Sequence, residues 1–135
     1  MWRTIGSVVA ALVAWAVIAT ILNIGLRVTL PGYHAAEPTL QFTFAMKLGR
    51  LAIAALASIG AGAVMSAVAP GSRRVPWIAG LLVLAMFLPI HIQIWSKLPV
   101  WYHLTFLLTI VPLFLLGASL RWGVRTSTPA ARNPT

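Results

Sequence analysis

Four apolar runs, each long enough to cross a lipid bilayer, constrain this chain more than any other feature. They cover residues 5–26, 48–69, 76–95 and 99–120. At ~1.5 Å rise per residue, about 20 helical residues span a hydrocarbon core ~30 Å thick. In that solvent every backbone N–H and C=O must be bonded internally, so spanning segments are helices or strands of a closed barrel. Runs of this length without strand-like alternation read as helices. Composition agrees: 60% of the residues are hydrophobic and 8% are charged, where a soluble domain carries about a quarter charged. The core of a soluble domain of 135 residues could not hide so much apolar surface.

The expected fold is all-α: an integral membrane four-helix bundle with its transmembrane helices in antiparallel up-down order. One domain takes residues 1–125, with helices at about 4–27, 38–69, 76–95 and 99–121. Pro38 and Pro76 suit the first turn of a helix, and Glu37 suits its positive end. Pro70-Gly71 stops the second helix. Short connections at 71–75 and 96–98 predict that the second and third spans, and the third and fourth, pack as hairpins. Pro89 and Pro112 fall inside spans and predict kinks. The start, with Trp2 and Arg3, looks like a signal peptide. Yet the run is long, no small-x-small cleavage site follows, and Asn23 and Arg27 close it, so an uncleaved anchor is expected. Residues 126–135 are rich in Ser, Thr, Pro, Ala and Asn and are expected to form a disordered cytoplasmic tail.

Ten Lys and Arg face a single acid, Glu37. They stand singly or in pairs at the ends of apolar runs, with no basic stripe interleaved with aromatics, so nucleic acid is not an expected partner. Arg3, Arg73, Arg74, Arg121, Arg125 and Arg132 lie on one side of the bundle, and Arg27, Lys47, Arg50 and Lys97 on the other. The positive-inside rule then puts both termini in the cytoplasm, in a plasma (inner) membrane. Trp2, Trp77, Trp95, Trp101 and Trp122 fall near span ends as an aromatic belt requires, and only Trp15 lies mid-span.

Lipid tails provide no hydrophobic drive between helices, so small residues mark contact faces. Ala54, Ser58, Gly62 and Ser66 recur every four residues on the second span, and Gly6, Ala10 and Ala14 on the first. These two ridges are expected to meet. The third and fourth spans, rich in Leu and Phe, are expected to pack more loosely or face lipid.

Polar side chains in a membrane are costly, so their positions are informative. Asn23 and Arg27 close the first span. Thr39, Thr43, Lys47 and Arg50 run along the second. His91 and Gln93 end the third, and Tyr102, His103, Thr105 and Thr109 begin the fourth. The first loop adds Tyr33, His34 and Glu37. All lie toward the non-cytoplasmic end of the bundle, which reads as a crevice opening there. Asn23, Arg27, Glu37, Lys47, Arg50, His91, Gln93, Tyr102 and His103 are its candidate ligand-binding residues. Glu37 is expected to pair with a neighbouring cation. Those left over are expected to hold a lipid phosphate or another anionic headgroup, or to snorkel to the interface. His91 and His103 each stand six residues from Lys97, which matches their depth. Two such histidines suit a metal, a haem or a proton relay, or simply hydrogen bonds in a wet interface. A metal would want further ligands, with only His34 and Glu37 at hand, so no cofactor is expected.

Catalytic constellations are missing. There is no Cys and no Asp, and a single acid cannot make a carboxylate pair. The segments His91-Ile-Gln-Ile-Trp95 and Pro99-Val-Trp-Tyr-His103, with the general organisation, resemble those of small four-helix membrane proteins of bacteria. That resemblance implies nothing about residue roles. The expected function is non-enzymatic: an accessory subunit, or a binder of lipid or a small ligand through the crevice. A membrane-protein partner or homo-oligomer goes with it. Alternatives are a homo-oligomeric small transporter or channel, and a histidine-ligated metal or haem protein.

Overall fold

The computed structural model describes residues 1–125, and side chains as far as residue 120. The tail expected at 126–135 lies outside the described residues. Five helices follow one another: α1 (Trp2–Thr29), α2 (Tyr33–Ala36), α3 (Phe44–Val68), α4 (Val75–Gln93) and α5 (Val100–Arg125). All but the one-turn α2 are long and apolar enough to cross a membrane. The chain therefore folds as an all-helical, multi-pass membrane protein, with no strand among the described residues.

α3 is the centre of the bundle. It packs along α5 on one side and α1 on the other, and α4 leans mainly on α5. The connection at 71–75 does not make α3 and α4 a close pair, against the hairpin reading, because α5 occupies the face of α3 that α4 would need. Glycine decides this. A Cβ on Gly62 would strike the Phe114 carbonyl of α5, and one on Gly117 would strike the Ile59 carbonyl of α3. The two backbones thus touch, gaining van der Waals contact where no hydrophobic drive exists. The span expected to pack loosely is the partner in the tightest crossing.

The small-residue ridge of Ala54, Ser58, Gly62 and Ser66 is buried throughout. Its glycine meets α5, however, and the expected partner ridge does not form on α1. Gly6 is exposed and has no atom within 4 Å of where its Cβ would stand, while Ala10 and Ala14 are only partly covered. α1 instead pushes large side chains into notches of α3: Ile18 lies over Gly60 and Leu26 over Gly49. Trp15 adds a hydrogen bond, its Nε1 donating to Ser58 Oγ at 3.1 Å. Spacing by fours identifies a contact face, but residue size across the gap decides which neighbour fills it. Pro89 and Pro112 sit exposed within α4 and α5, both assigned as continuous helices.

α3 starts at Phe44 rather than Pro38. Thr43 caps it by accepting from the Met46 N–H at 3.3 Å, and Leu40, at φ 57°, breaks any helix before that. The residues so freed fold over the bundle end. Tyr33 and Phe42 are buried with rings 5.6 Å apart, and Met46, Leu98 and Tyr102 complete the cluster. Burying two aromatic rings there outweighs extending α3 by a turn or two of helix.

Candidate functional site

α1 and α4 end where α3 and α5 begin, so one end of the bundle collects Asn23 and Arg27, Arg50, His91, and Tyr102 and His103. The loop carrying α2 brings Tyr33, His34 and Glu37 to the same place. Hydrogen bonds join most of these into one chain. Glu37 is its acidic anchor: it accepts from Asn23 Nδ2 at 3.1 Å and from Arg27 Nε at 2.9 Å, with His34 Nδ1 at 3.1 Å. Partial burial of the Glu37 carboxyl opposes its charged form. The hydrogen bonds from Asn23, Arg27 and His34 and the charge of Arg27 outweigh that and hold it below the ordinary carboxylate range. Asn23 Oδ1 in turn accepts from the Tyr33 hydroxyl at 2.7 Å.

Arg50 closes the chain. Its Nη1 donates to the Tyr33 hydroxyl at 2.9 Å and its Nε to the Tyr102 hydroxyl at 3.2 Å. Its guanidinium carbon stands 4.8 Å from the centre of the Phe42 ring, a cation–π contact. All three partners are neutral. Glu37, the only carboxylate side chain in the sequence, is engaged by Arg27 and His34. Arg50 is thus a fixed cation, inside a membrane-spanning helix, whose charge no side chain neutralises.

Beside Arg50 runs a groove of about 540 Å³. Its long wall is α1, from Trp15 through Thr20 and Asn23 to Arg27. Its floor is Arg50, Ile53 and Ala54 of α3 with Tyr102 and Phe106 of α5, and Phe87 of α4 stands opposite α1. The Trp15 and Phe87 rings, 4.9 Å apart, meet across it between α1 and α4. The groove is therefore cationic and hydrogen-bonding at Arg27, Asn23 and Arg50, and apolar and aromatic toward Trp15. That division suits a ligand with one anionic and one apolar part.

His91 and His103 form a separate buried pair behind Tyr102. Their Nδ1 atoms are 2.8 Å apart, so one donates a proton to the other. Trp95 stacks on His103 with centroids 4.6 Å apart, and Phe106 lies 4.4 Å from His91. Nε2 of His103 is buried without a hydrogen-bond partner. A metal bound to both Nδ1 atoms at about 2.0 Å would need more room than this hydrogen bond leaves. Among the described residues no group of three or more metal-ligating side chains assembles.

Of the nine crevice candidates, the structure joins five in one hydrogen-bonded network, Asn23, Arg27, Glu37, Arg50 and Tyr102, and sets His91 and His103 beside it as a separate pair. Gln93 is exposed, and neither it nor the half-covered Lys47 enters the network or lines the groove. Thr109 returns its hydroxyl to the Thr105 carbonyl of its own helix. Glu37 pairs with Arg27 as expected of a neighbouring cation, and not with Arg50. Sequence reasoning undervalued the groove's aromatic half: Trp15, Phe87 and Phe106. One signal was available, since Trp15 is the one tryptophan far from a span end. No known family, no curated protein and no solved structure matches the chain.

Proposed function

We propose that this membrane protein binds an anionic amphiphile, a lipid or a small apolar acid, in the groove between α1 and α4. The anion lies against Arg50 and the apolar part against Trp15, Phe87 and Phe106. The observation that carries this reading is Arg50 itself. It is a cation in a spanning helix, held by two tyrosine hydroxyls, while the one carboxylate side chain, Glu37, is engaged by Arg27 and His34. Charges within spanning helices are costly and mark functional sites, here one for an opposite charge. A carboxylate or phosphate oxygen fits the guanidinium N–H groups that the tyrosines leave free. Arg27, half exposed at the groove mouth, adds a second attraction.

The role is binding rather than catalysis, as an accessory subunit or a lipid-binding protein. In this reading the membrane is a bacterial inner membrane with both termini cytoplasmic, which the larger number of cations on that side supports, and the groove's polar end faces outward. Membrane lipids are then the nearest source of ligand. A homo-oligomeric transporter is the second reading. It draws on α1, where only Ser7 and Ala11 are buried and a long apolar face is left for lipid or another copy.

Native mass spectrometry of the gently purified protein tests the first reading. A bound anionic lipid or fatty acid, lost in Arg50→Gln, supports it. A ligand-free spectrum with no binding of added decanesulfonate removes it. Anion flux in proteoliposomes favours the transporter.

A further inference from the structure

Anion binding in the groove leaves one group of titratable atoms unused. His91 and His103 are buried, hydrogen-bonded only to each other, and enclosed by aromatic rings. Whichever Nδ1 donates in that bond, the same ring keeps a bare Nε2, because a neutral imidazole carries one N–H. The pair therefore offers a proton acceptor in either tautomer. The rings around it suit the charged form. Trp95 lies nearly parallel to His103, at 15°, and Phe106 and Tyr102 flank His91. Aromatic faces attract a cation, and tryptophan does so best.

One neighbour opposes a charge there. Tyr102 links the pair to Arg50: its hydroxyl takes the Arg50 Nε–H, and its ring stacks on His91 with centroids 6.1 Å apart. Two uncompensated cations so placed repel strongly in a low-dielectric surround. An anion seated on Arg50 removes most of that repulsion.

We infer that His91 and His103 form a proton-binding site coupled to the groove, taking up one proton from solvent with each anion bound at Arg50. This rests on the reading of the groove as an anion site and adds its regulation. The proton ends on the bare Nε2 and no other bond changes. By reciprocity, acid strengthens anion binding as much as the anion strengthens proton binding. Tyr102 on α5 touches the pair and Arg50 on α3 reaches it through Tyr102; the other cations on the surrounding elements are Lys47 on α3, Lys97 in the turn after α4 and Arg27 on α1. Glu37 and His34 lie in the loop, and Glu37 is the competitor, since an anion near Arg27 would loosen its hold on the carboxylate.

Decanesulfonate, ionised throughout the range used, separates these sources. Calorimetric titration of the detergent-purified full chain, in two buffers of different ionisation enthalpy, counts protons taken up per ligand. The wild type is expected to take up close to one. Its affinity should rise about tenfold per unit as pH falls through the histidine range. The uptake should vanish in His91→Gln and His103→Gln and persist in Glu37→Gln and His34→Gln. Wild-type binding with no proton uptake overturns the inference and leaves the anion site standing. Uptake that disappears in Glu37→Gln overturns it too. No binding at any pH overturns both readings. The wild-type and Glu37→Gln measurements decide the matter even if a histidine variant fails to fold.

Discussion

The hydroxyl of Tyr33 stands between Asn23 and Arg50, donating to the Asn23 Oδ1 at 2.7 Å and accepting from the Arg50 Nη1 at 2.9 Å. It joins the end of α1 to the second turn of α3 through a residue of the loop between them. Tyr33 is fully buried, so these bonds are shielded from competing water. Tyr33→Phe keeps the ring and removes the link. It should lower stability by about 1–2 kcal/mol, the cost of leaving buried groups unpaired. Chemical denaturation in mild detergent measures that loss, and backbone amides of residues 33–37 should exchange faster. An unchanged denaturation midpoint would show that the hydroxyl carries no stability.

Arg50→Lys keeps the charge and loses the fork that holds two hydroxyls at once. Its affinity for decanesulfonate should fall by about tenfold or more, since a charge-assisted hydrogen bond contributes about 1.5–3 kcal/mol. Arg50→Gln should bind more weakly still. Titration followed by tryptophan fluorescence reads both, because Trp15 lines the groove. Equal affinity in wild type and Arg50→Lys would mean that geometry at this residue is irrelevant.

Gly117→Ala should weaken the α3–α5 crossing, because the added methyl meets the Ile59 carbonyl and backbone cannot move aside cheaply. Overpacking of this kind costs about 1–3 kcal/mol. Gly6→Ala, on an open face of α1, should cost a few tenths of a kcal/mol at most. Comparing thermal midpoints of the two variants checks the assignment of the tight seam. A larger effect from Gly6 would reverse it.

Glu37 has its carboxyl held below the ordinary value of 4.5 in the folded protein. A depressed carboxylate contributes stability that is fully present above its unfolded value and is lost as pH falls through the folded one. Stability should therefore decline on acidification below about pH 4.5, and Glu37→Gln should flatten that decline. Stability curves of both proteins across that range make the comparison. Parallel curves would mean that other groups carry the acid sensitivity.

The spans were legible in the sequence because bilayer thickness imposes a length and an apolar character that few other constraints mimic. The polar end was legible for a related reason: with alternating helix directions, residues near the close of one span and the opening of the next share a depth. That is how Asn23, Arg50, His91 and His103 could be grouped without coordinates. Lateral arrangement was not legible. Gly62 meets the α5 backbone at Phe114 and Ala118 because Gly117 lets the two main chains close at Ile59, and no spacing within one helix reveals what stands across the gap. The late start of α3 was equally hidden, since it depends on Tyr33 and Phe42 finding burial over the bundle end. The apolar half of the groove was missed because an aromatic residue in a spanning helix looks the same whether it faces lipid, a neighbour or a cleft.

The contact between α3 and α5 leaves no room for experiment at two positions. A lineage carrying this fold can exchange bulky residues on α1 freely, since Ile18 and Leu26 only fill hollows that other large side chains also fill. It cannot exchange Gly62 or Gly117 without parting two main chains. Substitutions should thus accumulate on the outer helix, which also walls the groove, so ligand preference can drift while the scaffold beneath it stays unchanged.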